Sequence, residues 1–137
     1  MTEQELKDRT KKFALRVIKL VRTLPKNDVG SVLGKQILRS ATSVAANYRS
    51  ACKARSLKDF ANNLGICEEE ADETQLWIEL IVESDLVKPS LVEGLWKECD
   101  ELVAIFASSR ITMQKKLLSS KNSLSRKNNS KIVIQKS

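Results

Sequence analysis

Opposite charges separate along this chain, and no side chain supplies the usual catalytic base. Six basic residues and no acid occupy residues 35–58, whereas nine acids and no base occupy residues 59–87. The sequence contains no histidine, which removes the commonest general base and the commonest metal ligand. These residue types favour electrostatic binding over catalysis, because cations can contact phosphates and opposite charges can join helices or subunits.

The candidate nucleic-acid-binding residues are the six cations of the basic stretch. They are Lys35, Arg39, Arg49, Lys53, Arg55 and Lys58. Lys35 and Arg39 lie four residues apart, as do Arg49 and Lys53, so each pair shares one face of a helix. Such side chains contact phosphates without reading base sequence. The alternative is that they pair with the acids of residues 59–87 or stay solvated.

No cofactor or metal site is predicted, and we do not expect an enzyme. The three cysteines, Cys52, Cys67 and Cys99, lack CxxC spacing and lie among apolar residues, so buried free thiols are expected. Most acids of residues 68–73 fall off the apolar seam, which favours a solvated or partner-facing surface over a carboxylate metal site. The sequence also contains no Walker or GxGxxG motif.

Four helices are needed to position these charges. Their apolar seams advance in steps of three and four residues, which is the 3.5-residue repeat of left-handed helix packing. Thr2 and Glu5 form a capping-box pattern, Ser56 suits an N-cap, and Pro25 and Pro89 interrupt the periodicity. The predicted helices cover residues 2–24, 31–54, 56–85 and 90–118. Short loops make consecutive helices antiparallel, so the predicted fold class is all-α, an antiparallel up-down-up-down four-helix bundle.

The net charge of +7 is unevenly distributed over the 137 residues. Residues 1–114 are balanced, and the whole excess lies in residues 115–136. We therefore predict a bundle over residues 1–118 and a basic Ser/Asn/Lys-rich tail over residues 119–137, disordered in the free protein. A cationic tail suits an anionic partner, most often nucleic acid, although a solubilising extension is the alternative.

The location predicted from the sequence is the cytoplasm, without membrane association. No secretory signal is recognisable, and the odd number of thiols suits a reducing compartment. No apolar run approaches the ~20 residues that a membrane-spanning helix requires.

Three segments of the chain resemble motifs of one bacterial family. Residues 36–49 (QILRSATSVAANYR) are similar to QLRRAAxSIxxNIAEG, and residues 56–77 are similar to SxxEF…ExETQL. The LPK of residues 24–26 is similar to an FPK turn. Over residues 10–115 the chain therefore resembles the four-helix-bundle proteins related to the 23S rRNA intervening-sequence protein. That family includes the accessory protein of diversity-generating retroelements.

The resemblance implies more than the residues alone establish. It implies a homopentameric ring, nucleic-acid binding in some members, and a reverse transcriptase as partner in the retroelement branch. It carries over no catalytic residue. The predicted function is a non-catalytic oligomeric accessory protein that contacts RNA or DNA phosphates through the second helix and the tail. The alternative is a structural homo-oligomeric adaptor whose charged helix faces only mediate subunit or protein-partner contacts.

Overall fold

Four helices and no strand make up the described residues. The computed structural model describes the backbone of residues 1–136 and the side chains of residues 1–127. The helices are α1 (Glu3–Thr23), α2 (Asp28–Cys52), α3 (Leu57–Glu83) and α4 (Pro89–Lys136). The predicted all-α class and the four helices are confirmed. Within the described range, none of the helices combines the length and apolar character needed to span a membrane.

Side-chain caps begin the first three helices. Thr2 and Glu5 form the predicted capping box, and the Ser56 hydroxyl accepts a hydrogen bond from the Asp59 amide at 3.1 Å. The second helix begins at Asp28 rather than residue 31, because the Asn27 side chain caps it. The apolar periodicity predicts this start too late, although asparagine is among the preferred N-cap residues.

The predicted seams form one continuous core. Its largest fully buried side chains include Phe13, Ile37, Leu64, Ile78 and Phe106. Polar members of the seams are satisfied inside this core, where the Thr74 hydroxyl lies 2.8 Å from the Ser40 hydroxyl. Burial of these side chains provides the main driving force for packing the helices together.

Consecutive helices make the principal contacts, with α2 on α3 and α3 on α4 the most extensive pairs and α1 resting mainly on α2. The smaller α1–α4 contact includes an ion-pair cluster. Arg9 Nε donates to Glu98 Oε1 at 3.0 Å, and the same guanidinium also pairs with Glu101. Because Arg9 and Glu98 are both partly buried, this cluster helps to hold α1 against α4.

The fourth helix is longer than the sequence interpretation allowed. Its predicted end near residue 118 is wrong, because α4 continues to Lys136 as one element. Residues 119–136 contain neither proline nor glycine, so the loss of the apolar seam removes packing without terminating the helix. All residues from 119 to 127 are exposed. Side chains from residue 128 onward lie outside the described residues, and disorder of the tail in the free protein stays a prediction.

Candidate nucleic-acid interface

A basic cleft lies between α1 and α2. Its volume is about 440 Å³. Lys7 and Lys11 of α1 line one side, while Arg49 and Lys53 line the other. None of the residues lining the cleft is acidic, and its remaining lining consists of Ala45, Ala46 and Ser50. Short side chains between long cations leave space in which neighbouring phosphates of a nucleic acid could approach the four positive charges.

Local sequence explains why the cations converge. Lys7 and Lys11 are four residues apart on α1, and Arg49 in the last turn of α2 has the same spacing from Lys53, the C-cap residue of that helix. Each pair therefore projects from one helix face. The ammonium group of half-buried Lys7 lies 3.5 Å from the exposed Glu3 carboxylate, a pair within α1. Such a pair contributes little and leaves the ammonium group accessible to a phosphate.

The six predicted site residues do not form one patch. Only Arg49 and Lys53 line the cleft. Arg55 and Lys58 follow directly, in the turn after α2 and the first turn of α3, and both are exposed. Lys35 is also exposed, but it lies 14 residues before Arg49, which is ~21 Å along a helix axis.

Arg39 is engaged by acids of the same chain. Its Nη1 lies 3.2 Å from Glu70 Oε2, and its Nη2 pairs with Glu73. The hydrogen bond to Glu73 is the main cause of the raised pKa of the Arg39 guanidinium. Half of the side chain remains exposed, so salt and water screen the pair. For this residue the structure favours the intramolecular alternative over a free phosphate contact.

Two cleft cations were missed by sequence reasoning. Lys7 and Lys11 belong to the first helix, outside the basic stretch of residues 35–58. Their i,i+4 spacing was a usable signal, because the same spacing had marked Arg49 and Lys53. What the sequence did not reveal is which face of α1 lies beside which face of α2.

Some acids that follow the basic stretch are partly neutralised by arginines. Arg110 Nε donates to Glu68 Oε2 at 2.6 Å, linking α4 to α3. The bond to Glu68 raises the pKa of Arg110, as the bond to Glu98 raises the pKa of Arg9. These contacts use charge to hold neighbouring helices together.

The thiols of Cys67 and Cys99 are packed side chains rather than reactive groups. Burial raises the pKa of Cys67 and that of Cys99 to about 12, so both remain protonated at neutral pH. Cys52 is half-buried, and burial raises its pKa as well. Across the described residues, no cluster of three or more Cys, Asp or Glu side chains is arranged to hold a metal ion.

Together, the fold and the cleft define an all-α bundle protein with a cationic surface between its first two helices. The chain belongs to the 23S rRNA-intervening sequence protein family, whose sequence profile matches residues 2–108. The match ends within α4, before the residues that carry the excess positive charge.

A solved structure supports the same family relationship. It is a protein of unknown function from the S23 ribosomal protein family of Bacteroides thetaiotaomicron VPI-5482, with 36% identity to this chain. The alignment covers 74% of this chain and 94% of that chain, with a TM-score of 0.70. Comparison with curated proteins gave no match.

Proposed function

We propose that this protein is a non-catalytic, oligomeric accessory protein that binds RNA or DNA through phosphate contacts. The observation that carries the proposal is the cleft in which Lys7, Lys11, Arg49 and Lys53 meet without an acidic neighbour in the lining. Arg55 and Lys58 extend the basic surface beyond Lys53. The cationic part of α4 adds a second attraction for nucleic acid. Cations arranged in this way bind the phosphate backbone and distinguish poorly between sequences.

The test is a double charge reversal inside the cleft. Lys11→Glu with Arg49→Glu changes two exposed side chains while leaving Lys7 and its Glu3 pair intact. Affinity for a single-stranded RNA and a DNA duplex is measured by fluorescence anisotropy across a salt series. Loss of two contacts should make the slope of log affinity against log salt shallower by ~1.4 for the RNA and ~1.8 for the duplex.

The matched control changes the net charge equally at another place. Lys26→Glu with Lys88→Glu reverses two exposed cations in the α1–α2 and α3–α4 connections. The control should weaken binding only through long-range charge and should retain the wild-type salt slope. Equal effects of the two double variants would contradict a role for the cleft.

The assembly that we propose is an antiparallel up-down-up-down bundle repeated in a homopentameric ring. The direction in which contacts run along α2 and α3 supports the antiparallel arrangement. Cys67 contacts Val44, whereas Thr74, which is later in α3, contacts Ser40, which is earlier in α2. The ring follows from the family resemblance, as does a reverse-transcriptase-type partner. A cytoplasmic location and the absence of enzymatic activity complete the proposal.

Analytical ultracentrifugation of nucleic-acid-free protein tests the pentamer, which a monomeric species at micromolar concentration would contradict.

A structural adaptor is the second candidate function. It is favoured by the outer face of α3, where Ile66, Leu76 and Leu80 are exposed among acids. An apolar stripe with an acidic border suits a subunit or protein-partner contact. An adaptor would assemble normally but would bind neither RNA nor duplex DNA at ~50 mM salt, where phosphate contacts are strongest.

A further inference from the structure

A groove lined by apolar side chains and by three glutamates lies between the end of α3 and the start of α4. Its volume is about 250 Å³, and most of its lining is apolar. Ile78, Val82 and Val92 form part of the groove, and Trp96 at its edge is 38% exposed. The acidic members of the lining are Glu79, Glu83 and Glu93. Such a site favours an apolar side chain that is flanked by cations.

The glutamates of this groove differ in how many partners they have within the chain, so some of their negative charge is available to a cation of another molecule. Glu93 lies 3.4 Å from the Lys97 ammonium group, and Glu79 accepts a hydrogen bond from the Trp96 indole at 3.4 Å. Glu83 makes no salt bridge within the described residues. Glu79 and Glu83 are four residues apart, so both carboxylates project from one face of α3.

The exposed end of α4 carries the complementary pattern. Leu124 is 61% exposed, with Lys121 three residues before it and Lys127 three residues after it. All three therefore share one face of the helix. Leu117 lies seven residues before Leu124 and continues this face towards the bundle. Phosphate binding explains the lysines but not the leucine, whereas an apolar groove with an acidic border accommodates both.

We propose that the exposed end of α4, centred on Lys121, Leu124 and Lys127, docks into the groove formed by Ile78, Val82, Glu83 and Trp96 of a second copy of this chain. Leu124 enters the apolar part of the groove. Lys121 and Lys127 approach Glu79 and Glu83. The lysines are ~9 Å apart along their helix and the glutamates ~6 Å, a difference that long lysine side chains can span.

The contact has to join two molecules. The groove uses Pro89 and Trp96 at the beginning of α4, and Leu124 lies 28 residues after Trp96 on the same uninterrupted helix. At 1.5 Å per residue the separation is ~42 Å, so a copy cannot fill its own groove. Because the two surfaces differ, the contact is head-to-tail, and repetition produces a ring or an open filament.

The test uses two charge-reversed variants, separately and mixed. Variant one carries Lys121→Glu and Lys127→Glu, and variant two carries Glu79→Lys and Glu83→Lys. Each should self-associate at least ~10-fold more weakly than the wild type, since like charges then face each other. In an equimolar mixture each helix end finds a groove of opposite charge on the other variant. Sedimentation velocity should therefore show that the mixture associates at least ~10-fold more strongly than either variant alone, although alternation of the two variants restricts closed rings to even numbers of subunits.

Matched substitutions separate docking from nonspecific effects. Leu118 and Leu124 are equally exposed at 61%, but they lie on different faces of α4. Leu124→Ser should weaken association, whereas Leu118→Ser should not. Asp8→Lys with Asp59→Lys changes two exposed acids of α1 and α3 outside the groove and should leave association intact. Thermal melting checks that each variant retains its fold.

Two results would overturn the docking contact. The first is self-association unchanged in both charge-reversed variants, or association in the mixture no stronger than in either variant alone. The second is normal association in variant one together with weakened RNA binding, which would assign the helix end to phosphate contacts instead. Because association is measured on nucleic-acid-free protein, failure of the docking contact is distinguishable from failure of the basic cleft.

Discussion

Two arginines of α2 show how local partners decide what a charge can do. Arg39 is held by Glu70 and Glu73 of α3, whereas Arg49 lines the basic cleft. We expect Arg49→Gln to reduce the salt slope of nucleic-acid binding by ~0.7–0.9, the value of one phosphate contact. Arg39→Gln removes the same charge but should leave the slope unchanged.

Anisotropy titrations over a salt series measure both variants under identical conditions. Arg39→Gln should also lower thermal stability at low salt, with the difference shrinking as salt screens the lost pair. If Arg39→Gln flattened the slope as much as Arg49→Gln, then Arg39 would exchange its glutamates for phosphate, and the distinction between the two arginines would be wrong.

Cys67 and Cys99 provide a prediction for alkaline pH. Burial raises their pKa values to about 12, above those of thiols in the unfolded chain. Ionisation of these thiols is therefore easier in the unfolded chain than in the folded protein. Their contribution to the free energy of unfolding is fully present below pH ~8.5 and is lost as pH rises towards the folded-state pKa values. Each pH unit in this window should cost up to about 1.4 kcal/mol per buried thiol.

Urea denaturation at several pH values measures this dependence. A thiol-modifying reagent at pH 8 should react far more slowly with Cys67 and Cys99 in the folded protein than in the unfolded protein. Half-buried Cys52 serves as the internal comparison. Rapid modification of all three thiols under native conditions would contradict the buried positions.

At the scale of elements, the α1–α2 connection depends on one glycine. A Cβ atom at Gly30 would lie 2.0 Å from the Pro25 carbonyl oxygen, and the Gly30 amide donates to the Asn27 cap at 2.8 Å. Gly30→Ala should therefore destabilise the protein by about 1–3 kcal/mol or more, because backbone has to move. The same clash would change the path by which α2 leaves the turn.

Gly65 in α3 is the matched control for that substitution. A Cβ there would meet only the Arg110 side chain, at 3.5 Å, which is an ordinary contact. Gly65→Ala should stabilise the helix by up to about 1 kcal/mol, because alanine has the higher helix propensity. Chemical denaturation compares both variants with the wild type. Destabilisation by both would show that the two glycines share a packing role.

The helices were more predictable than their ends. Seam positions such as Phe13, Ile37 and Phe106 are all fully buried, since helical periodicity reports which face packs. The start of α2 depends on a single Asn27 hydrogen bond, and the end of α4 on the absence of a stop signal. Neither the Asn27 cap nor the lack of a stop signal changes the apolar pattern, so periodicity alone could not locate the start of α2 or the end of α4.

At the scale of the whole molecule, the cleft arises from packing rather than from one segment. Charge patterning identified Arg49 and Lys53, but Lys7 and Lys11 join them only because α1 lies beside the end of α2. It also grouped Arg39 with the cleft cations, although acids of α3 hold it. Long-range packing thus changes which charges can act together, and a linear reading of the sequence does not contain that information.

The measurement that tests the central claim most directly is the salt dependence of binding by the wild-type protein. Purified protein free of nucleic acid is titrated with single-stranded RNA and duplex DNA between ~50 and ~200 mM salt. Four phosphate contacts in the cleft predict slopes of ~−2.8 for the single strand and ~−3.6 for the duplex, or a ~50- to 150-fold loss of affinity across this range. Steeper slopes would indicate additional phosphate contacts from the α4 end. No binding at the lower salt, or binding independent of salt, would contradict the phosphate-binding account.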